Sequence, residues 1–482
     1  MSDNLRDKTL SGFIYKTLER IGAQGVHLLV SIVLARIILP EHYGLISLVT
    51  VIITILDVFV TYGFGNSLIA KKESDNIDFS TCFWFGLFLS LVIYGLVFLC
   101  APSIERFYSY NGIAIVLRIM ALRIPIAAVN SIQQAYVSKH MMFKKFFIST
   151  SIGTVISGVI AIVMAYKGFG IWALVEQYLG NIIIDTICLS FIVNWHPSFV
   201  FSFDRLRYIY SYGWKILVVG LIDTGYSQLR SLVIGKEYSS ADLAYYNKGN
   251  QFPSLATGII EPTINGVLFP ALAKCSDDQQ MMKNVTRRTI KSATYIIFPV
   301  MIGLLVTAKP LIQIILTDKW LPSVVFLQIC CFAQMFRPIQ FINNCVVKAS
   351  GQSGLLLKLD IIKKVIGVLL LIVSVRWGVV AIAISMAITN IIATVINIIP
   401  NRRILSYGYI AQFSDTGINL MLSVIMGIVV YFISFLGLTP VFQLFIQIAV
   451  GVFVYVGLSI LLKNDSFTYI SYLLKKKIFA RR

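Results

Sequence analysis

The sequence predicts an all-α integral membrane protein of about 14 transmembrane helices, two six-helix lobes in pseudo-twofold arrangement plus two C-terminal helices. Three observations predict it. Of 482 residues, 57% are hydrophobic and 13% charged, with a mean hydropathy of +0.81, far more apolar surface than one soluble core can use. The apolar residues come in continuous runs of about 20, enough to cross a bilayer, not in the alternating ten-residue segments of an outer-membrane barrel. Lysine and arginine alternate between rich and poor from loop to loop. A secreted disulfide scaffold, a cytosolic enzyme on an anchor and a disordered or collagen-like chain are excluded.

In chain order, crossings are expected at residues 15–38, 43–65, 81–101, 113–137, 146–165, 171–193, 208–234, 242–269, 289–307, 324–347, 357–375, 379–400, 417–436 and 441–462. Turn residues separate them: Pro40, Pro102, Gly168 with Gly170, Pro197, Gly235, Pro310, Pro322, Gly351 with Gly354, Pro400 and Pro440. The first run is longer than a signal-peptide core, carries Arg20 and His27 and lacks a small-residue cleavage site, so it is expected to remain as a helix. The predicted domains are 1–200, 201–404 and a C-terminal part, 405–482, of two helices and a basic interfacial tail.

The net charge of +19 comes from 41 Lys and Arg against 22 Asp and Glu. In a soluble protein that would suggest nucleic acid; here the bias is topological. Segments on one side hold 27 basic residues, among them Lys71, Lys139, Arg205, Lys291 and Lys475 to Lys477, against eight on the other, including Lys248. Basic loops resist translocation, so both termini are expected in the cytoplasm. The seven cysteines show no C-x-x-C spacing, and the four histidines form no ligand pair. No metal site and no resident cofactor are expected.

Two stretches echo across about 200 residues: Leu34 to Leu45 with Ser231 to Ala244, and Tyr166 to Leu174 with Val375 to Ile382. Both keep the same sidedness, so spans one to six and seven to twelve read as parallel repeats, with a cavity expected between them.

Polar residues at helical spacing mark faces turned to protein or water, because a lipid-facing helix has no use for them. The expected cavity lining is Arg20, Gln24 and His27 on span one, Arg123, Asn130 and Gln134 on span four, and Lys215 and Arg230 on span seven. Gln251 on span eight and Arg337 and Asn344 on span ten complete it. Asp57, Asp223 and Glu261 are candidates for a coupling proton or sodium ion, and equally for structural ion pairs with the same cations. Bases outnumber these acids, so the lining is expected to be net positive and to suit an anionic, phosphate-bearing guest. Spans five and thirteen, almost wholly apolar, are expected against lipid. No nucleophile elbow, Walker loop or dinucleotide motif occurs, so no enzyme activity is expected.

At Leu34-Ala35-Arg36 through Pro40-Glu41-His42-Tyr43-Gly44 the chain resembles the polysaccharide-export, Wzx-like flippases of the multidrug/oligosaccharidyl-lipid/polysaccharide superfamily. The likeness continues through Phe107-Tyr108, Phe143-Lys144, Gly168 to Val175, Phe201-Ser202-Phe203, Tyr212-Gly213-Trp214, Ile234-Gly235-Lys236 before Tyr245-Tyr246, Phe269-Pro270 and Trp320, in order over residues 10 to 325. Ala244 stands where such proteins usually have glycine. The resemblance implies a bacterial cytoplasmic-membrane transporter that turns a polyprenyl-diphosphate-linked oligosaccharide to the outer leaflet by alternating access, for lipopolysaccharide or exopolysaccharide assembly. Glycosyltransferases and a glycan polymerase are its implied partners. No ligand residue carries over by position. The alternatives are a cation-coupled multidrug exporter of the same superfamily, whose cavity should be acidic or aromatic, and a membrane-embedded glycan polymerase or transferase, which should carry a long catalytic loop.

Overall fold

The computed structural model describes residues 25–71, 73–275 and 278–479 together with Gly22. Over the described residues, each expected crossing falls on helix. The described part of the first is α1 (Gly25–Ile37). It is followed by α2 (Pro40–Thr61), a short α3 (Phe64–Ala70), α4 (Asn76–Tyr108), α5 (Ile113–Met120), α6 (Arg123–Lys139), α7 (Phe143–Tyr166), α8 (Ile171–Ile192) and α9 (Phe203–Glu237). Then come α10 (Ser240–Lys274), α11 (Gln279–Val306), α12 (Ala308–Ile315), α13 (Ser323–Gln334), α14 (Arg337–Ala349), α15 (Ser353–Ser374), α16 (Val379–Leu405), α17 (Tyr409–Phe432), α18 (Pro440–Leu461) and α19 (Asp465–Phe479). Ten spans are long and apolar enough to cross a bilayer by length and composition. Helices α9, α10 and α15 have the length but carry charges, such as Lys215, Asp223 and Arg230 on α9.

Several ends differ from expectation. Pro102 and Pro400 lie inside α4 and α16 instead of ending them. The fourth and tenth crossings, by contrast, are each broken in two. A proline ring collides with the carbonyl four residues earlier; from Pro125 that carbonyl belongs to Ala121, the C-cap of α5, and from Pro338 to Gln334, the last residue of α13. Each proline then sits in the first turn of the new helix, where its missing N–H costs nothing.

The chain divides into two compact units, Met1–Ala244 and Tyr245–Arg482. Helix α9, the head of the second lobe in the repeat, packs within the first unit, on α2, α3 and α4. Glycine makes that contact possible. A Cβ on Gly213 of α9 would lie 2.8 Å from the Gly63 carbonyl oxygen and 3.0 Å from Ser67 Oγ; nearby, where α10 begins, one on Gly44 of α2 would lie only 1.7 Å from the Ser240 carbonyl oxygen. Between membrane helices, where lipid tails compete for every apolar contact, such backbone approach and interhelical hydrogen bonds supply the association.

The core of the first unit at one end is aromatic, Phe79 against Tyr136 and Trp195 at ring separations of 5.3 and 5.7 Å. Beside it the fully buried Asp78 receives Lys71 Nζ at 2.5 Å and Arg205 Nη1 at 3.4 Å. Lys139 Nζ donates to the Leu68 and Lys71 carbonyls and to Ser74 Oγ. Asp75 caps α4, and the Asp78 backbone N–H it accepts holds its carboxyl below the usual carboxylate range. In the second unit the buried Tyr295, Tyr455 and Ser459 join α11 to α18. Span thirteen is apolar as expected but its helix starts earlier: α17 begins at Tyr409, and its first turns, ahead of residue 417, bury Gln412 and Asp415 against its own unit, with Asn419 just inside the span. Span five fits better, since α7 exposes Val155, Ile156, Val159 and Val163 while its small residues pack on α8.

Candidate substrate site

In the first unit, Arg123 is the first residue of α6, immediately after the break. Its Nε donates to Asp57 Oδ2 on α2 at 3.1 Å and its Nη1 to the Tyr178 carbonyl on α8 at 3.4 Å. Its side chain keeps 33% of its surface, that of Asp57 14%. Asp57 Oδ1 is buried with no hydrogen bond among the described residues. His27 lies edge-on to Tyr178 at a ring separation of 6.4 Å.

The second unit builds the same pair. Arg337 opens α14 after the break and grips Glu261 of α10 with two donors, Nε to Oε1 at 2.8 Å and Nη2 to Oε2 at 3.0 Å. Its side chain is 42% exposed, that of Glu261 19%. Thus in each unit a guanidinium stands at the N-terminus of a half-helix, where unpaired backbone N–H groups and the helix dipole add positive potential. In each, one terminal nitrogen, Nη2 of Arg123 and Nη1 of Arg337, has no hydrogen bond among the described residues. The basic surplus read from the sequence is correspondingly smaller: Asp57 and Glu261 serve as partners of Arg123 and Arg337, and that pairing is now their first role.

The other candidates separate. Asn130 is buried and fully used, donating to Asp185 Oδ2 at 3.1 Å and Thr186 Oγ1 at 3.0 Å and accepting from Gln134 Nε2 at 2.5 Å. Asn130 braces α6 against α8 and is not open lining, a correction to its expected role, while Gln134, half-buried, bonds to it within α6. Replacing Asn130 with alanine strips Asp185 of a donor and is expected to cost about 1–3 kcal/mol of stability. Thermal unfolding should show that loss, while export per folded molecule stays at the wild-type level. Lys215 and Asp223 are exposed on α9, seven and more residues from Arg230. Arg230 is buried, its guanidinium 5.9 Å from the Tyr226 ring. Gln251 accepts from Lys248 Nζ at 3.3 Å, and Asn344 keeps a buried Oδ1 without a hydrogen bond among the described residues. Arg20 and Gln24 lie outside the described residues.

Sequence reasoning passed over Tyr178, Asp185 and Lys248. Tyr178 enters by a backbone carbonyl, which no side-chain pattern reveals. Lys248 was counted as a loop charge, yet it is buried in α10 with Nζ 5.7 Å from the Trp320 ring. Asp185 stands alone in an apolar run, and its helical neighbours Gln177 and Asn181 offered the signal of a polar face.

Spans broken so that a half-helix begins at an arginine are the kind of element that membrane transporters build their sites from. The family model described as "Polysaccharide biosynthesis protein" matches residues 33–325, more than half the chain, and the chain belongs to that family. Among curated relatives, the succinoglycan biosynthesis transport protein ExoT of Rhizobium meliloti (strain 1021) is 23% identical over 321 residues, 66% of this chain and 65% of its own length. The lipopolysaccharide biosynthesis protein WzxC of Escherichia coli (strain K12) is 23% identical over 402 residues, 82% of this chain and 81% of its own. The chain thus spans just under two thirds of ExoT and about four fifths of WzxC. Among solved structures, the lipid II flippase MurJ in an inward closed conformation has the same fold, with a TM-score of 0.78 at 16% identity over 94% of this chain and 99% of its own.

Proposed function

We propose that the chain is a flippase that carries a polyprenyl-diphosphate-linked oligosaccharide from the cytoplasmic to the outer leaflet of a bacterial cytoplasmic membrane, by alternating access, for cell-surface polysaccharide synthesis. The observation that carries this reading is the arginine at the start of a half-helix, present once in each unit, half-open to solvent and with a nitrogen to spare. Phosphate is the guest for such a group, because a planar guanidinium and a helix N-terminus both favour an oxyanion. A cationic drug would have to displace each guanidinium from its own carboxylate.

Binding then proceeds by exchange. In each unit by itself a phosphate oxygen takes the open Nη position, of Arg123 in the first or of Arg337 in the second, and the carboxylate partner there, Asp57 or Glu261, gives up part of its hold as negative charge arrives. Asp57, with one oxygen already unpartnered, is the first place to look for a coupling proton or sodium ion. Glycosyltransferases supply the lipid-linked glycan on the cytoplasmic side, where both termini lie, and a polymerase receives it outside. In cells lacking the protein, surface polysaccharide should disappear and lipid-linked glycan should accumulate behind an intact inner membrane, while tolerance to cationic dyes is unchanged. Retained polysaccharide with increased dye sensitivity would replace this reading with drug export.

A further inference from the structure

At the end of the second unit where basic residues concentrate, α11 and the C-terminal α19 enclose a polar pocket of about 290 Å³, lined by Arg287, Arg288, Lys291, Ser466 and Tyr469 among others. The pocket is held open by buried bonds. Asn464 caps α19 by accepting from the Ser466 and Phe467 backbone N–H groups at 2.8 and 3.3 Å, and its Nδ2 donates to Asn419 Oδ1 at 3.0 Å. Asn419 in turn donates to the Lys291 carbonyl at 3.0 Å. The first turn of α19 is thereby fixed to α11 and α17.

Three cations face the pocket, and two are spoken for. Arg287 is bidentate on Asp415 at 2.7 and 2.6 Å. Lys291 lies 3.3 Å from both Asp415 and Asp465. Arg288 pairs with no carboxylate among the described residues; its guanidinium carbon lies over the Tyr469 ring, 3.5 Å from the ring centre. Stacking fixes that guanidinium while leaving its edge, and its N–H donors, free. The charges of the cluster are three positive against two negative, with the excess on Arg288. Leu461 and Leu462, at the end of the apolar α18 just before the Asn464 cap, and Tyr472, one turn along α19 from Tyr469, are exposed, so the pocket-lining turn of α19 directly follows the end of an apolar span.

We propose that this pocket binds the phosphodiester headgroup of an anionic phospholipid, with Arg288 as the main phosphate ligand and Tyr469 as its support. An anion-binding edge beside exposed leucines fits a ligand that carries both a phosphate and acyl chains, which a soluble phosphate does not. The site is independent of the transport reading above.

Native mass spectrometry of the full chain released from detergent tests it. With phosphatidylglycerol added, one lipid should remain bound, and Arg288→Ala should lower the bound fraction on the order of tenfold. Phosphatidylcholine should bind no better than the variant does, and millimolar inorganic phosphate should leave the bound lipid in place. Equal retention by Arg288→Ala, equal binding of phosphatidylcholine, or displacement by inorganic phosphate would each overturn the assignment. Because Arg288 is exposed and forms no ion pair among the described residues, the variant should unfold at the wild-type temperature. If it is not recovered folded, Tyr469→Leu, which keeps every charge and removes the supporting ring, must weaken lipid retention several-fold; unchanged retention would overturn the proposal.

Discussion

Neutralising both members of the second-unit pair, as Glu261→Gln with Arg337→Gln, is expected to restore the folded protein that Arg337→Gln alone loses, without restoring glycan export. The single change strands Glu261, 19% exposed, without its two donors. Breaking a fully buried pair costs about 3–5 kcal/mol, and the partial exposure of this one brings the expected loss to about 2–3 kcal/mol. In the double variant no charge is stranded, and two amides of similar shape replace the pair. If the arginine served only as a brace, export would return with stability. If it grips phosphate, the loss of a charge-assisted hydrogen bond keeps export down by about 10- to 100-fold. Unfolding temperature and surface-polysaccharide yield, measured on the same variants, separate the two. The corresponding Asp57→Asn with Arg123→Gln should behave alike in the first unit.

The second large effect is expected at Gly44. Its replacement even by alanine should sharply reduce the amount of folded protein, because the added Cβ itself falls 1.7 Å from the Ser240 carbonyl oxygen and 2.3 Å from its carbon. No rotamer relieves a clash made by Cβ against backbone, so α2 and the segment entering α10 must separate. Overpacking of a flexible core costs about 1–3 kcal/mol, and a backbone collision exceeds that range. Gly417→Ala on α17 is the control: nothing lies within 4 Å of the added atom, and the helix propensity of alanine makes a slight gain the expected result. Size-exclusion recovery and thermal unfolding in detergent measure both.

Much of the architecture was legible in the sequence because hydropathy in a bilayer is a strong constraint: every backbone group must be satisfied within the helix. Over the described residues each of the fourteen runs falls on helix, and the Arg123 and Arg337 stripes pointed to helices that prove to be broken just ahead of those residues. What hydropathy does not encode is the lateral partner of each polar group. Asn130 and Gln134 follow the same spacing as an open lining, yet Asp185, 55 residues from Asn130, uses one as a brace. Asp57 and Glu261 could be named as ion-pair partners, but which arginine each would meet depends on helix packing. The seventh crossing illustrates the same limit: its sequence echoes the first, while its glycines fit it to α2 and α3 of the first unit.

The central claim is that phosphate, held by the arginines of the broken helices, is what this protein recognises. Its most direct test is movement of a short-chain polyprenyl-diphosphate oligosaccharide across proteoliposomes containing the purified chain, read as the fraction that becomes accessible to an enzyme outside. The account predicts movement with the wild-type protein, little or none with Glu261→Gln/Arg337→Gln, and no competition from a lipophilic cation. Equal movement by the folded double variant, or inhibition by the cation, would contradict it.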